Sequence, residues 1–545
     1  MHFADMIIKN GNVITLSEGT PSADALAIKD GRIMMIGNGK DLDAITGLHT
    51  HIIDAAGGTV IPGLHDGHLH FIGYGLTLQM VPLAGVDSIE ELVMRVSQRV
   101  QDTPANEWVT GSGWDHNLFK ENRYPNRYDL DQAAPNHPVV LTRICGHLQA
   151  VNSKALELAG VNANTPDPAG GHIDRDENGI PTGIMRETAT RLIMNAVPPP
   201  SYERLSSALR LAVKKAHACG LTSITTDDIR RDRVQNIQDN IQLYRDLLDH
   251  DEPTVRVTLE LRDLVIDDIL KRQLTTGNGN EWLKIGNLKI FQDGALGAKT
   301  AVMRHGYDGE SDVKGIPIHT QEELDQLVKM GHDAGLQVAI HAIGDGAIDS
   351  CLDAFEKAMT GFPRPSLRHR IIHYCLIDQG ILQRTKDLGV TVDIQPPFVP
   401  LNGQWVERLI GKERSVRTYP WKTILNFGIP CVGSSDCPIT PIEPLVGIWA
   451  AVTRHAYYTN DSGVFMPQEA ISAEDALRLY TLGSAYGDFD ENNKGSLEVG
   501  KFADVVILGE DLYKVDPNRI KDISVEMTIV GGRIVYDKKT GVGVF

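Results

Sequence analysis

The segment VIPGLHDGHLHFIG, residues 60–73, holds three histidines, and two of them, His68 and His70, are separated by a single leucine after an apolar run opening with Val60 and Ile61. On an extended backbone residues two apart point the same way, so both imidazoles can reach one ion. A polar loop would carry the same residues, and a lone His-x-His does not decide between the two. Further donors close other apolar runs. His341 ends QVAIHAIGD, His373 ends HRIIHYCLI and Asp436 ends IPCVGSSDCP. Taken singly, each histidine reads as a satisfied core residue and the acid as a turn cap. Lys289 lies inside the apolar NLKIFQDG. A buried ammonium is costly, so this one needs a partner such as Asp293 or a lowered pKa. A neutral lysine amine can also add carbon dioxide, and the carbamate then offers two oxygens able to bridge two cations.

The elements that must position these residues form a repeat. Eight apolar strand candidates stand out: VIPGLHDGHLH, LTSITTD, VRVTLELRD, LKIGNLKIFQDG, LQVAIHAIGD, HRIIHYCLI, GVTVDIQPPF and IPCVGSSDCP. Helical patterns separate most of them. One is PPPSYERLSSALRLAVKKAHACG, with Ser201 placed to cap it and Gly220 to end it. Another is QEELDQLVKMGHDAG, with Thr320 and Glu323 as a capping box. Alternating strands and helices of this kind predict a parallel (β/α)₈ barrel of the TIM type, an α/β fold whose catalytic groups gather where strands end. A doubly wound sheet competes, but no strand is followed by GxGxxG, and GSGWD at 111–115 is not that fingerprint. Five of the eight strands end in His-x-His, Lys, His, His and Asp. Their convergence at one end of one barrel favours a metal site, with nitrogen and oxygen donors suited to zinc or a similar divalent ion.

Both chain ends carry a different grammar. IIKNGNVITL, LAIKDGRIMMIG and MTIVGGRIVY place Asn-Gly, Asp-Gly or Gly-Gly between short β-branched runs, the signature of two-residue type I′ hairpins. A small β-sandwich assembled from 1–60 and 490–545 is the economical reading, with the barrel at 61–75 and 201–489. The interval between His70 and Ser201 far exceeds an ordinary βα connection. Residues 76–200 are therefore expected to form an inserted subdomain over the barrel mouth.

The 545 residues carry a formal net charge of −18, which argues against nucleic acid or an anionic membrane as a partner. No run approaches the roughly 18–20 apolar residues that span a bilayer. The start, MHFADMIIKNG, lacks a basic region followed by an apolar core, so no signal peptide is expected. Six cysteines without a CxxC are expected to be reduced core residues of a cytoplasmic enzyme.

PGLHDGHLH, LKIFQDGALG, HAIGDGAID, GSSDCPI, GKFADVVIL and VGGRIVY together resemble the amidohydrolase superfamily over nearly the whole chain. GWDHNLF, GHLQAVNSKAL and PTGIMRE make the likeness closest to its long-insertion branch of metal-dependent hydrolases, which includes N-substituted formamide deformylases. That resemblance implies that His68, His70 and Asp436 hold one metal and that His341 and His373 hold a second. A carbamate on Lys289, formed from carbon dioxide, would bridge the two, with zinc as the expected ion. It further implies hydrolysis of an amide or N-substituted formamide by a metal-bridging hydroxide, with Asp436 shuttling the proton. The substrate would be a small molecule, and a homodimer is kept open as the assembly. Trp114 and His147 are candidates to line the substrate pocket from the insertion, while His65 and Asp66 are read as residues supporting the ligands or as loop residues. Gly346, where relatives commonly have arginine, and Ile372 and Tyr374-Cys375 depart from the pattern beside the ligands. Two alternatives stay open: a mononuclear deaminase of a ring amidine, with Lys289 unmodified, and a regulatory protein on an amidohydrolase body.

Overall fold

A computed structural model describes residues 3–20, 22–104, 106–230, 234, 236–249, 254–457 and 463–543. All eight apolar runs contribute one strand each to a single parallel sheet. These are β1 Leu64–Leu69, β2 Leu221–Thr226, β3 Arg256–Arg262, β4 Leu283–Phe291, β5 Gln337–Ala342, β6 Arg370–His373, β7 Thr391–Ile394 and β8 Cys431–Gly433, ordered in space as in sequence. β1 and β8 share no ladder. Just beyond their ends, Asp436 N–H donates to the His68 carbonyl at 2.9 Å and His70 N–H to the Cys437 carbonyl at 2.8 Å, which draws the sheet into a nearly closed barrel. The helix caps follow the sequence. Ser201 Oγ accepts from Arg204 N–H ahead of the helix Tyr202–Ala218, and Thr320 and Glu323 form the capping box of Gln321–Asp333.

The run VIPGLHDGHLH is not one strand. Thr59–Pro62 pairs antiparallel with Val505–Leu508, and the barrel strand starts afresh at Leu64. Two sheets built from both chain ends share one apolar core, in which Ile8, Leu26 and Ile28 of a four-stranded sheet meet Val13, Val60, Val505 and Ile507 of a six-stranded one. Two of the three expected hairpins form. Asp30-Gly31 (φ 49° and 73°) joins Ala25–Lys29 to Arg32–Gly37, and Gly531-Gly532 (φ 54° and 75°) joins Val525–Val530 to Arg533–Asp537. Asn10-Gly11 makes no hairpin. Met6–Lys9 lies in the four-stranded sheet and Asn12–Ile14 in the other, so the dipeptide carries the chain between sheets. Gly11 is required there because a Cβ would stand 2.7 Å from Val60 Cγ2.

Gly75–Ala208 forms a second compact unit. Its six-stranded sheet runs from Gly171–Arg175 at one edge through Pro181–Glu187, Leu148–Val151, Val139–Arg143 and Val109–Trp114 to Val81–Pro82. Leu92 and Val96 of the helix Ile89–Gln101 pack on it. Five cysteines are buried, but Cys145 is exposed in this unit, against the expectation that all six lie in the core. Among the described residues no helix is long and apolar enough to cross a membrane.

Candidate metal centre

The barrel brings the six sequence-selected donors to one end. His68 lies within β1 and His70 just past it; Lys289 is in β4, His341 in β5, His373 ends β6 and Asp436 follows β8. One ligand atom from each of His68, His70 and Asp436 falls within 4.8 Å of the others. Asp436 Oδ1 is 3.3 Å from His70 Nε2 and 3.6 Å from His68 Nε2. The His341 and His373 rings face each other edge-on with centroids 4.3 Å apart, and His373 is 6.3 Å from His68. Lys289 is completely buried with Nζ 3.4 Å from His68 Nε2. His68, His70, His341, His373 and Asp436 all border a cavity of about 390 Å³.

Hydrogen bonds fix which nitrogen each ring presents. The Asp227 carbonyl accepts from His70 Nδ1 at 2.7 Å, and Gln395 Oε1 accepts from His373 Nδ1 at 2.9 Å while Gln395 Nε2 donates to Ser434. In its neutral form each of these rings keeps a lone pair on Nε2. His341 is reversed. Its Nε2 donates to the Gly294 carbonyl at 3.1 Å, leaving Nδ1 as the donor atom for an ion. Phe291 stacks on His341 and Phe398 on His373, which hold both rings in plane.

Burial depresses the His341 imidazole well below its ordinary range, and burial with the neighbouring cations brings His373 down to about 3. Both are neutral, as ligands must be. Burial also opposes charge on His70, but the Asp436 carboxylate outweighs it and pushes the imidazole up to about 9. Asp436 is held below the usual carboxylate range despite its burial, because His70 and the other imidazoles surround it. Burial lowers Lys289. Asp293, considered as its partner, instead accepts backbone N–H groups of Val302, Ile343 and Gly344, and burial raises its carboxyl to about 7. Among the described residues no carboxylate lies within 4.0 Å of Lys289 Nζ. Imidazole nitrogens turned inward, an ionised acid and a buried amine with no carboxylate within ion-pair distance fit a divalent metal centre.

Several supporting residues escaped the sequence reading. Glu260 of β3 meets His68 Nδ1 at 2.5 Å, and the only hint in the sequence was a carboxylate inside an apolar run, TLEL. The wholly buried Arg370 pairs with Asp393 and donates to the Gly67 carbonyl, bracing β1 between His65 and His68. His65 faces Thr225 and Asp488, and Asp66 accepts from Ser435 and from His68 N–H; both lie in β1 and not in a loop. Gly346 packs on the Val302–Met303 segment, where a Cβ would sit 3.1–3.2 Å from its neighbours, so a side chain there would require that segment to shift by a few tenths of an ångström.

Trp114 does not serve as a pocket residue. It is fully buried in the core of its own unit, stacked on Phe119, with Nε1–H donated to the Leu141 carbonyl. His147 is exposed and paired with Glu187 at 2.9 Å. The cavity wall is made instead by Phe291, Leu296, Ile343, Phe398, Trp405 and Tyr419.

The amidohydrolase family matches residues 51–536. The chain belongs to that family, and it is a hydrolase acting on carbon–nitrogen bonds. YtcJ of Bacillus subtilis (strain 168), which bears an amidohydrolase name, is 34% identical over 530 residues, 97% of this chain and 98% of its own. The N-substituted formamide deformylase of Arthrobacter pascens is 28% identical over 552 residues, 98% of each chain. The crystal structure of an uncharacterized metal-dependent hydrolase from Pyrococcus furiosus aligns with a TM-score of 0.77 at 31% identity, covering 93% of this chain and 100% of that one.

Proposed function

We propose that the protein hydrolyses an amide or N-substituted formamide to the acid and the free amine, with two divalent ions, zinc by choice, held by His68, His70, His341, His373 and Asp436. Lys289 would serve both ions as its carbamate, its amine having added carbon dioxide and released a proton. The observation that carries this reading is the Lys289 amine, wholly buried among imidazoles with no carboxylate within ion-pair distance. A mononuclear deaminase has no use for such a group. Bound cations would polarise the substrate carbonyl and acidify water toward neutrality.

The chain's own residues do the rest. Asp436, ionised and bordering the cavity, is placed to take a proton from water and return it to the leaving nitrogen. Asp293 holds the backbone of Ile343 and Gly344, just past His341, and so fixes that strand end. The aromatic and aliphatic wall receives an uncharged substituent and excludes bulk water. The likeness to a formamide deformylase supports the choice of substrate class.

Metal content per chain tests this reading, measured on protein prepared with zinc and bicarbonate beside Lys289→Ala, with amine release from a panel of formamides and amides. Two ions in the parent, one or fewer in the variant, and turnover in the parent only are expected. One ion in both would remove the role of Lys289 and turn the screen to ring amidines. Metal without turnover of either class would favour a regulatory body.

A further inference from the structure

We infer that Glu260 is a positioning residue for the metal centre: its buried carboxylate accepts the hydrogen bond of His68 Nδ1–H and thereby aims and strengthens the opposite nitrogen as a ligand. The inference rests on the metal reading of His68. The contact is 2.5 Å and lies wholly out of solvent. Because Nδ1 faces Glu260, the imidazole stands between that carboxylate and the cavity, so Glu260 is not itself placed to be a ligand.

Backbone geometry supports a built arrangement rather than a chance contact. The β3–β4 ladder pairs Leu259 with Ile285 and Leu261 with Leu288, so Gly286 and Asn287 together oppose the single Glu260. Such a bulge re-aims side chains locally. Here Asn287 Nδ2 donates at 2.9 Å to Glu260 Oε1, the oxygen that His68 leaves free. Gly286 is required because a Cβ would lie 2.5 Å from Thr258 Cγ2.

Of the three imidazoles whose Nε2 faces the site, His70 leans on a carbonyl and His373 on an amide; only His68 leans on a charge. A carboxylate behind a ligating imidazole makes the ring more basic and fixes its tautomer. His68 Nε2 lies 3.6 Å from Asp436 Oδ1 and 3.4 Å from Lys289 Nζ, so its orientation bears on both halves of the site.

The test is zinc affinity, measured by competition with a chromophoric chelator, together with the melting temperature of the metal-free protein, for the parent, Glu260→Gln, Asn287→Ala and His68→Ala. Glu260→Gln keeps the length and an acceptor but removes the charge. It is expected to weaken zinc about 10–100-fold with the metal-free melting temperature preserved. Asn287→Ala, which frees the carboxylate from its anchor, is expected to weaken zinc by less. A folded Glu260→Gln that binds zinc like the parent overturns the inference. Should that variant fail to fold, Asn287→Ala decides, and parental affinity there overturns it. His68→Ala separates the two levels: if it binds zinc as tightly as the parent, the metal reading of His68 has failed instead.

Discussion

The backbone N–H of Asp436 donates to the carbonyl of His68 across 2.9 Å, while the Asp436 carboxylate lies 3.6 Å from the His68 imidazole. Barrel closure and the candidate metal-binding triad are thus one piece of structure. Asp436 adopts φ 59° to do both, a conformation that l-residues other than glycine, asparagine and aspartate rarely take. Its neighbour in function, His373, has φ 78° at the end of β6. Backbone strain of this kind gathers where a site must hold a side chain in one place.

Asparagine tolerates the left-handed region and keeps the shape of Asp436, so Asp436→Asn isolates the charge. Turnover is expected to fall by about 10²–10⁴ with little change in melting temperature. Asp436→Ala should lose as much activity and about 1–2 kcal/mol of stability besides, since alanine meets the left-handed backbone penalty. Initial rates and thermal melts of both variants check this. Parental turnover in Asp436→Asn would remove the acid from the mechanism.

Gly67, between the two motif histidines His65 and His68, answers to barrel closure rather than to chemistry. A Cβ there would stand 2.1 Å from Val432 Cγ1 and 3.1 Å from the Gly433 carbonyl, both on β8. Gly67→Ala is therefore expected to destabilise by about 1–3 kcal/mol, the ordinary range for overpacking. It should also lower metal affinity, because His68 shares the displaced strand. Denaturant titration and zinc competition measure the two effects, and a neutral result in both would mean that β1 and β8 can part without consequence.

The candidate ligands were legible because each closes or lies within an apolar run, and a strand's end is where a parallel barrel exposes side chains. Glu260 was not, because its meaning depends on a bulge in the pairing of its strand with the next, set by Gly286 and Asn287. The three Gly-containing turns illustrate the same limit. Asp30-Gly31 and Gly531-Gly532 form hairpins because their flanks pair with each other, whereas the flanks of Asn10-Gly11 find other partners. Trp114 misled for a related reason. An aromatic within an insertion expected over the barrel mouth looks like pocket lining, yet its indole fills a core whose packing only tertiary structure shows.

The cavity wall makes a prediction about substrate preference. Trp405 is held by Nε1–H donated to the Leu401 carbonyl, and its ring lies 3.4 Å from where a Gly297 Cβ would be. Trp405→Ala should reduce kcat/KM for a formamide bearing an aromatic nitrogen substituent by about tenfold or more, while N-methylformamide is little affected. Equal losses on both substrates would show that Trp405 supports the fold rather than the bound substituent.

Far from the metal centre, His332 and His369 form a relay that only neutral rings can complete. Val338 N–H donates to His369 Nδ1 at 3.0 Å, the other His369 nitrogen donates to His332 Nδ1 at 2.8 Å, and His332 Nε2 donates to the Phe362 carbonyl at 2.6 Å. Burial, and then the neighbouring His332, brings His369 from 6.5 down to about 3. The unfolded chain therefore takes up a proton here as pH falls through 6.5, while the folded chain resists until about 3. The stabilising contribution is complete above 6.5 and is lost progressively as pH falls toward 3. Between pH 7 and pH 5 the loss is about 2 kcal/mol for this residue. His65 and His217, each brought to about 4 by burial, add to the acid sensitivity, so the comparison must be with a variant. His369→Gln retains an acceptor for Val338 but cannot titrate. Urea titrations at the two pH values should show the parent losing about 2 kcal/mol more than His369→Gln. Identical pH dependence in the two proteins would mean that the folded state accommodates the imidazolium and that the relay does not require neutral rings.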